Sequence, residues 1–231
     1  MKRTRISVTL AGLLALGLTA WMAGCSTPTP RSSSTTAAPA AKSSTAFVFG
    51  TGAWLADRVG DVCTLSLRGG PDDAAVRQAR QAMDWVAQAG CTRKLLEVNG
   101  PHGVVNEAIT LGAMARNRGY ETVLPAGAIC ATPCLLVFAA GTSRWLPAHP
   151  ASAQLVWSQI PPDQDFGRQT CETVWSRGQQ QTLQRYLGAM LPEATARRSV
   201  TTLQAATCQR DTREGPDEAL ASGLATGRLN R

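Results

Sequence analysis

Residues 61–125 alternate between strand-like and helix-like patterns, and this alternation constrains the fold more than any other feature of the sequence. Residues 61–69, DVCTLSLRG, alternate apolar and polar side chains, as a half-buried strand does. Residues 71–90 instead place apolar side chains on one helical face and end at a glycine. The series continues with a predicted strand at 93–98, a helix at 104–119 and a strand at 120–125.

Strands that alternate with helices in this order pair in parallel and are joined by right-handed crossovers. The sequence therefore predicts an α/β fold built on parallel strands. After this series we expect a buried helix from Pro133 to Ala140, because that segment is apolar throughout. Further strands are predicted at 143–148 and 152–160, and further helices at about 167–190, 192–208 and 216–223.

The N-terminus has the composition of a secretory signal. Three basic residues among the first five precede an uncharged apolar run at 6–23, and the small residues Ala23 and Gly24 stand directly before Cys25. This arrangement resembles the lipobox of bacterial lipoproteins, in which the cysteine is acylated and becomes the mature N-terminus. We therefore expect a signal peptide at 1–24, lipidation of Cys25 and membrane attachment through that lipid.

The segment after the signal cannot form a core by itself. Residues 25–46 are mainly Ser, Thr, Ala and Pro, a composition that predicts a lipidated flexible tether. Residues 47–231 are numerous enough for one α/β domain. The serine directly after the cysteine, Ser26, is similar to the residue choice that sorts lipoproteins to the outer membrane of Gram-negative bacteria. We expect a cell-envelope protein, anchored in the outer membrane and facing the periplasm.

The charge of the chain disfavours a nucleic-acid partner. The formal net charge is +7, or +4 (7 − 3) once the three cations of the signal are removed. The remaining basic residues are scattered, with no stripe and few aromatic residues beside them. Nucleic-acid binding is therefore not predicted.

Six cysteines remain after the lipidated one, and an even number in an oxidising compartment favours disulfides. Six allow 15 pairings, among which the sequence does not choose. We prefer a Cys63–Cys91 bridge, because each lies at the start of a neighbouring parallel strand, and we expect at least two bridges. Zinc would need histidine or further cysteine nearby, so no metal or cofactor is predicted. The six are Cys63, Cys91, Cys130, Cys134, Cys171 and Cys208.

A longer segment carries a resemblance to a known family. Residues 95–159 read LLEVNGPHGVVNEAITLGAMARNRGYETVLPAGAICATPCLLVFAAGTSRWLPAHPASAQLVWSQ. This series resembles the Clp-protease/crotonase superfamily, and more narrowly its periplasmic Clp-like proteins with a Cys-Ala-Ser-Ala-Cys motif before an apolar helix. The resemblance covers about residues 60–225, including the late ALASGLAT. It implies a stack of parallel-strand ββα units with outer helices, and homo-oligomers such as trimers or larger rings.

An active Clp-type hydrolase uses a serine nucleophile at the helix start, a histidine base on a later strand and main-chain N–H groups as an oxyanion hole. The matching positions of this chain depart from that pattern. Thr132 stands at the serine position, Pro133 after it lacks an N–H, and Trp157 stands at the histidine position. In the glycine turn, His102 replaces the first glycine and Gly103 is kept as a remnant of the oxyanion site.

The sequence by itself assigns no residue a catalytic role. Thr132 before Pro133 is explained as an N-cap, with proline at the first helical position. His102 is explained as a polar turn residue and His149 as a loop residue. The remaining catalytic candidates are Thr132 as nucleophile and His102 as its base.

We therefore predict a catalytically inactive, envelope-anchored Clp-like lipoprotein with a binding or scaffolding role, for an unknown ligand. The alternative is a peptide or acyl hydrolase that uses Thr132 as nucleophile. A third hypothesis is a pocket lined by Trp157, His102 and the helix start, where the helix N-terminus favours an anionic group.

Overall fold

A computed structural model describes the part of the chain that lies within one compact unit, Pro39–Arg231. The predicted signal peptide, Cys25 and the predicted tether up to residue 41 lie outside the described residues. His149, Cys171 and Cys208 also lie outside them. The residues described are 42–50, 52–148, 153–159, 176–207 and 209–229.

These residues form a mixed α/β fold of ten strands and six helices. The strands are β1 (Lys42–Phe49), β2 (Gly52–Val59), β3 (Val62–Arg68), β4 (Arg93–Glu97), β5 (Glu121–Val123), β6 (Ile129–Cys130), β7 (Arg144–Pro147), β8 (Gln154–Trp157), β9 (Thr212–Glu214) and β10 (Gly227–Leu229). The helices are α1 (Asp73–Gln88), α2 (Val105–Asn117), α3 (Thr132–Ala139), α4 (Arg177–Met190), α5 (Glu193–Ala205) and α6 (Pro216–Ala221).

The main sheet has seven strands in the order β1-β2-β3-β4-β5-β7-β10. Its pairs from β3 to β10 are all parallel, whereas β1–β2 and β2–β3 are antiparallel. The predicted α/β fold with parallel strands is therefore confirmed, and the predicted series from 61 to 125 corresponds to β3-α1-β4-α2-β5. A smaller sheet, β6-β8-β9, pairs β6 with β8 in parallel and β8 with β9 antiparallel.

The core lies between the main sheet and the helices. Trp54 of β2 is fully buried, and its Nε1 donates to the carbonyl of Ala75 in α1 at 2.8 Å. Every residue of α3 is buried, as its apolar sequence predicts. The α4 helix packs close to α2 and α3: the hydroxyl of Tyr186 donates to the carbonyl of Leu136 at 2.9 Å. A Cβ at Gly112 would lie 1.9 Å from that hydroxyl oxygen, so this close approach needs glycine.

Two disulfides are present among the described cysteines. Cys63–Cys91 ties the start of β3 to the loop that leads into β4, which confirms the preferred pair. Cys130–Cys134 spans the start of α3. The expectation of at least two bridges is confirmed.

The structure also differs from the predicted elements. The β1–β2 hairpin and the short strands β6, β9 and β10 were not predicted. Because β1 begins at Lys42, residues 42–46 of the predicted tether belong to a strand. Predicted helix 192–208 is shorter, since α5 begins after Pro192 and ends at Ala205. Among the described residues, no helix is long and apolar enough to cross a membrane.

Candidate functional site at the start of α3

Two separate parts of the chain hold the segment that leads into α3. The turn after β4 pairs with it through Gly100, whose N–H donates to the carbonyl of Ile129 at 3.1 Å. The N–H of Ala131 in turn donates to the carbonyl of Gly100 at 3.1 Å. On the other side, β6 pairs with β8. The start of α3 is therefore positioned by both the main and the smaller sheet.

The N-cap of α3 is Ala131, with extended backbone at φ −81° and ψ 177°. Its carbonyl accepts the first helical hydrogen bond, from the N–H of Leu135 at 2.8 Å. Thr132 is the first helical residue and Pro133 the second. The prediction that Thr132 caps the helix is therefore wrong, because the pairing of Ala131 with Gly100 sets the extended residue one position earlier.

The hydroxyl of Thr132 is enclosed by Ser158, directly after β8. Thr132 Oγ1 donates to the Ser158 carbonyl at 2.5 Å and accepts from the Ser158 N–H at 2.9 Å. It also lies 3.1 Å from Ser158 Oγ. Thr132 has no exposed surface. Its hydroxyl therefore joins α3 to the end of β8.

Ser158 also takes over part of the capping. The main-chain N–H of Thr132, one of the unpaired donors of the first helical turn, donates to Ser158 Oγ at 3.4 Å. Sequence reasoning missed Ser158, because a capping residue is expected next to the helix in the chain and this one lies 26 residues away.

The glycine turn lies against the helix start, but its histidine does not reach Thr132. A Cβ built on Gly103 would lie 3.1 Å from the Cβ of Pro133, and the φ of Gly103 is +152°. His102 is exposed. Within the described residues, the hydrogen bonds of the Thr132 hydroxyl go to Ser158 and none goes to His102. The structure thus brings Gly103 and Pro133 together but forms no Thr132–His102 hydrogen bond.

Trp157 is fully buried and bonded to a carboxylate. Its Nε1 donates to Glu214 Oε1 at 2.9 Å, and Ser222 Oγ donates to Glu214 Oε2 at 3.0 Å. The indole nitrogen is a donor only, so it cannot accept a proton from a nucleophile. With no exposed surface, Trp157 does not line an open pocket with His102. Glu214, a buried partner on β9, was not predicted because the pairing of β8 with β9 is non-local.

The opposite end of α3 is held by arginines. Arg116 Nη1 donates to the carbonyl of Gly141 at 2.7 Å. Arg144, only 5% exposed, donates to the carbonyls of Gly141, Gly223 and Leu224 at 3.2, 3.3 and 2.7 Å. Burial lowers the pKa of Arg144, and the neighbouring Arg116 lowers it further.

Elsewhere, a groove of about 400 Å³ lies between α4 and α5, lined by residues that include Gln184, Ala196 and Val200. It shares no lining residue with the start of α3. In the part of the chain that the structure describes, no three His, Cys, Asp or Glu side chains come together to hold a metal ion.

Comparisons with known proteins assign no family to the chain. No protein-family model matches it, and no curated protein matches it. The resemblance described for residues 60–225 therefore depends on the motifs of this chain alone.

Proposed function

We propose that this protein is an envelope-anchored Clp-like lipoprotein that does not catalyse hydrolysis and that binds or scaffolds a partner. The observation that carries the proposal is the enclosure of the Thr132 hydroxyl. Its proton is directed to the carbonyl of Ser158 at 2.5 Å, and its lone pair accepts the Ser158 N–H. A carbonyl oxygen is not a general base, so this bond holds the hydroxyl without activating it.

Access to the hydroxyl supports the same conclusion. A nucleophile must reach an acyl carbon at close range. Thr132 has no exposed surface, and the end of β8 lies directly against it. Attack by Thr132 would require both hydrogen bonds to Ser158 to break and β8 to move away.

The surroundings also lack two further parts of a hydrolase. Pro133 follows Thr132 and has no N–H to offer an oxyanion, and loss of one such donor costs about 2.7–4 kcal/mol of transition-state stabilisation. Trp157, at the position where the resemblance expects histidine, directs its N–H to Glu214. The two defects affect different parts of the same transition state, namely proton removal and charge stabilisation.

The location and assembly in this proposal depend on the sequence. The lipobox-like cut before Cys25 supports a lipid anchor, and Ser26 supports the outer membrane. The Clp/crotonase resemblance supports self-association.

An active-site probe tests the catalytic part of the proposal. The wild-type chain and Thr132→Ala are treated with a fluorophosphonate and with peptide and ester substrates, beside an active Clp-type hydrolase as a positive control. We expect no label on Thr132 and equal background hydrolysis by both chains. A labelled Thr132, together with hydrolysis that disappears in Thr132→Ala, would instead establish the alternative, a threonine hydrolase.

Acyl labelling in cells tests the anchor. The wild-type chain should incorporate a labelled fatty acid, and Cys25→Ala should incorporate none and remain uncleaved. Equal labelling of both chains would refute lipidation at this residue.

A further inference from the structure

The two edges of the seven-stranded sheet differ in length and in chemistry. The β10 edge has three residues, and its Arg228 is bonded to Asp217 and to the carbonyl of Ala148. The β1 edge has eight residues and pairs with β2 along its whole length. Proteins commonly protect sheet edges by making them short, charged, bulged or interrupted by proline. β10 is short and charged, whereas β1 needs a different explanation.

Most of these protections are missing from β1. Its sequence, KSSTAFVF, contains no proline, and its register with β2 runs without a bulge. The only charge is on Lys42, at the first residue. Val48 is 73% exposed, although Phe47 and Phe49 beside it pack against the core. A long, regular and nearly uncharged edge of this kind favours pairing with another strand.

The register of the hairpin shows which main-chain N–H and C=O groups of β1 are not bonded to β2. Phe49 and Gly52 are opposite each other at the turn, and antiparallel residues alternate between bonded and non-bonded pairs. Ser44 and Asp57 are also opposite, and their side chains contact each other, as in a close, non-bonded pair. Counting from the turn, the N–H and C=O groups that point away from β2 belong to Lys42, Ser44, Ala46 and Val48.

We propose that β1 pairs antiparallel with β1 of a second copy of this chain, about a twofold axis. In this register Lys42 is opposite Val48 of the second copy, and Ser44 is opposite its Ala46. Thr45 is opposite Thr45 of the second copy, and Thr–Thr is a favourable cross-strand pair. The two seven-stranded sheets then form one continuous sheet.

Charge and exposure favour a second copy as the occupant. Antiparallel pairing separates the two lysines by about 20 Å along the ladder, which is beyond the Debye length in physiological salt. The aliphatic stem of each Lys42 covers the exposed Val48 of the other copy while its ammonium stays in water. A parallel arrangement would place the two lysines side by side. The strand is therefore complementary to itself in one direction only.

This inference concerns a twofold contact between two copies and uses no part of the family resemblance, which implies trimers or larger rings. Its failure and the failure of the proposed function have different signatures. The probe experiment on Thr132 bears on catalysis alone. The experiments below bear on the β1 surface.

Zero-length cross-linking tests the register. The full chain carrying Val48→Glu is prepared in ¹⁴N and ¹⁵N forms, mixed and treated with a carbodiimide, which joins an amine to a carboxylate in direct contact. We expect a cross-link from Lys42 to the new carboxylate in peptides that combine both isotopes. Within one chain the two positions are about 20 Å apart, too far for this reagent.

The matched control uses a residue opposite Lys42 in the same chain. Lys42 and Val59 are paired across the hairpin, and Val59 is 51% exposed. Val59→Glu should therefore give a cross-link to Lys42 within single-isotope peptides. If this control forms its link and the Val48→Glu chain gives no mixed-isotope link, the proposed register is wrong.

Sedimentation of the full chain in detergent tests the surface. Val48→Lys places a charge opposite Lys42 of the second copy, so the dimer dissociation constant should rise at least tenfold. Lys42→Glu added to Val48→Lys should restore it, and Gln181→Lys, at an exposed position of α4, should leave it unchanged. If Val48→Lys leaves the dimer dissociation constant unchanged, the dimer uses another interface. If the wild-type chain stays monomeric at every concentration, β1 pairs with a different partner. Either result overturns the proposal.

Discussion

The N-terminal end of α3 forms hydrogen bonds with neutral groups, whereas two guanidinium groups form hydrogen bonds at its C-terminal end. The N-terminal contacts come from Ser158, through a hydroxyl, a carbonyl and an N–H. The C-terminal contacts come from Arg116 and Arg144, which share the carbonyl of Gly141. Both ends are buried, but only one carries charge.

The two ends of α3 differ in what their contacts could contribute. A cation near the C-terminus of a helix interacts favourably with the helix dipole, so the arginines fit their end of α3 as stabilising groups. The N-terminal end is where an acyl hydrolase would collect charge in its transition state. In this protein that end is closed by Thr132 and Ser158 and contains a proline. Hydrogen bonds to other parts of the chain therefore hold both ends of α3 within the core.

The largest effect is expected from removal of the buried cation. Arg144→Met leaves the carbonyls of Gly141, Gly223 and Leu224 without this donor, and hydrogen bonds to charged groups contribute about 1.5–3 kcal/mol each without being additive. We expect the free energy of unfolding to fall by about 3–5 kcal/mol in urea titrations. Arg77→Met, at an exposed ion pair, is the control and should change it by less than about 0.5 kcal/mol. Equal losses in both would contradict a specific role for Arg144.

A smaller effect is expected from opening the bridge at the N-terminal end. The Cys130–Cys134 loop is short, with a separation of 4 residues, so its removal should cost about 2 kcal/mol of unfolding free energy. The paired replacement of Cys130 and Cys134 by alanine is measured by urea unfolding. Replacing Cys63 and Cys91 instead, with a separation of 28 residues, should cost about 3–4 kcal/mol. The opposite order would show that loop length does not govern these bridges.

Thr132→Val keeps the shape of the side chain and removes its hydroxyl. The N–H and carbonyl of Ser158 then lose their partner, and we expect a loss of about 1–2 kcal/mol in unfolding free energy. Thr132→Ser, which keeps the hydroxyl, should lose less. If Thr132→Val instead loses hydrolysis and keeps its stability, Thr132 is a nucleophile. The N-terminal end of α3 would then be a catalytic site and not only a structural contact.

The smallest effect is expected at Ser158 itself. Ser158→Ala removes the Oγ that accepts the long 3.4 Å bond from the Thr132 N–H and lies 3.1 Å from Thr132 Oγ1, while the main-chain bonds remain. Thermal and urea unfolding should show a loss of about 0.5–1 kcal/mol. Ser158→Thr keeps the hydroxyl and should stay near the wild type. A loss larger than that of Thr132→Val would mean that the serine hydroxyl, rather than its main chain, holds the end of β8.

The elements predicted from the sequence are those with local signals. Two patterns show this. The alternation of β3 and the helical periodicity of α1 can each be seen in a single short stretch of sequence. Asp72 caps α1 by accepting from the N–H of Ala75 at 2.7 Å, a contact between neighbours in sequence. The Cys63–Cys91 bridge could also be predicted from the sequence, because two parallel strands joined by a helix begin side by side. Local periodicity and short-range capping therefore determined the central part of this fold.

The candidate site was decided by contacts that no local pattern contains. The partner of Thr132 is 26 residues away, and Glu214 is 57 residues from Trp157. Whether a threonine hydroxyl is available for chemistry depends on which strand end packs against it, and that packing is a property of the whole sheet. The sequence by itself determined the alternating strands and helices and the residue types at the start of α3. Only the tertiary structure decided that Ser158 forms hydrogen bonds with the hydroxyl of Thr132. The physical reason is that burial and hydrogen bonding depend on residues that are distant in sequence and come together in the fold.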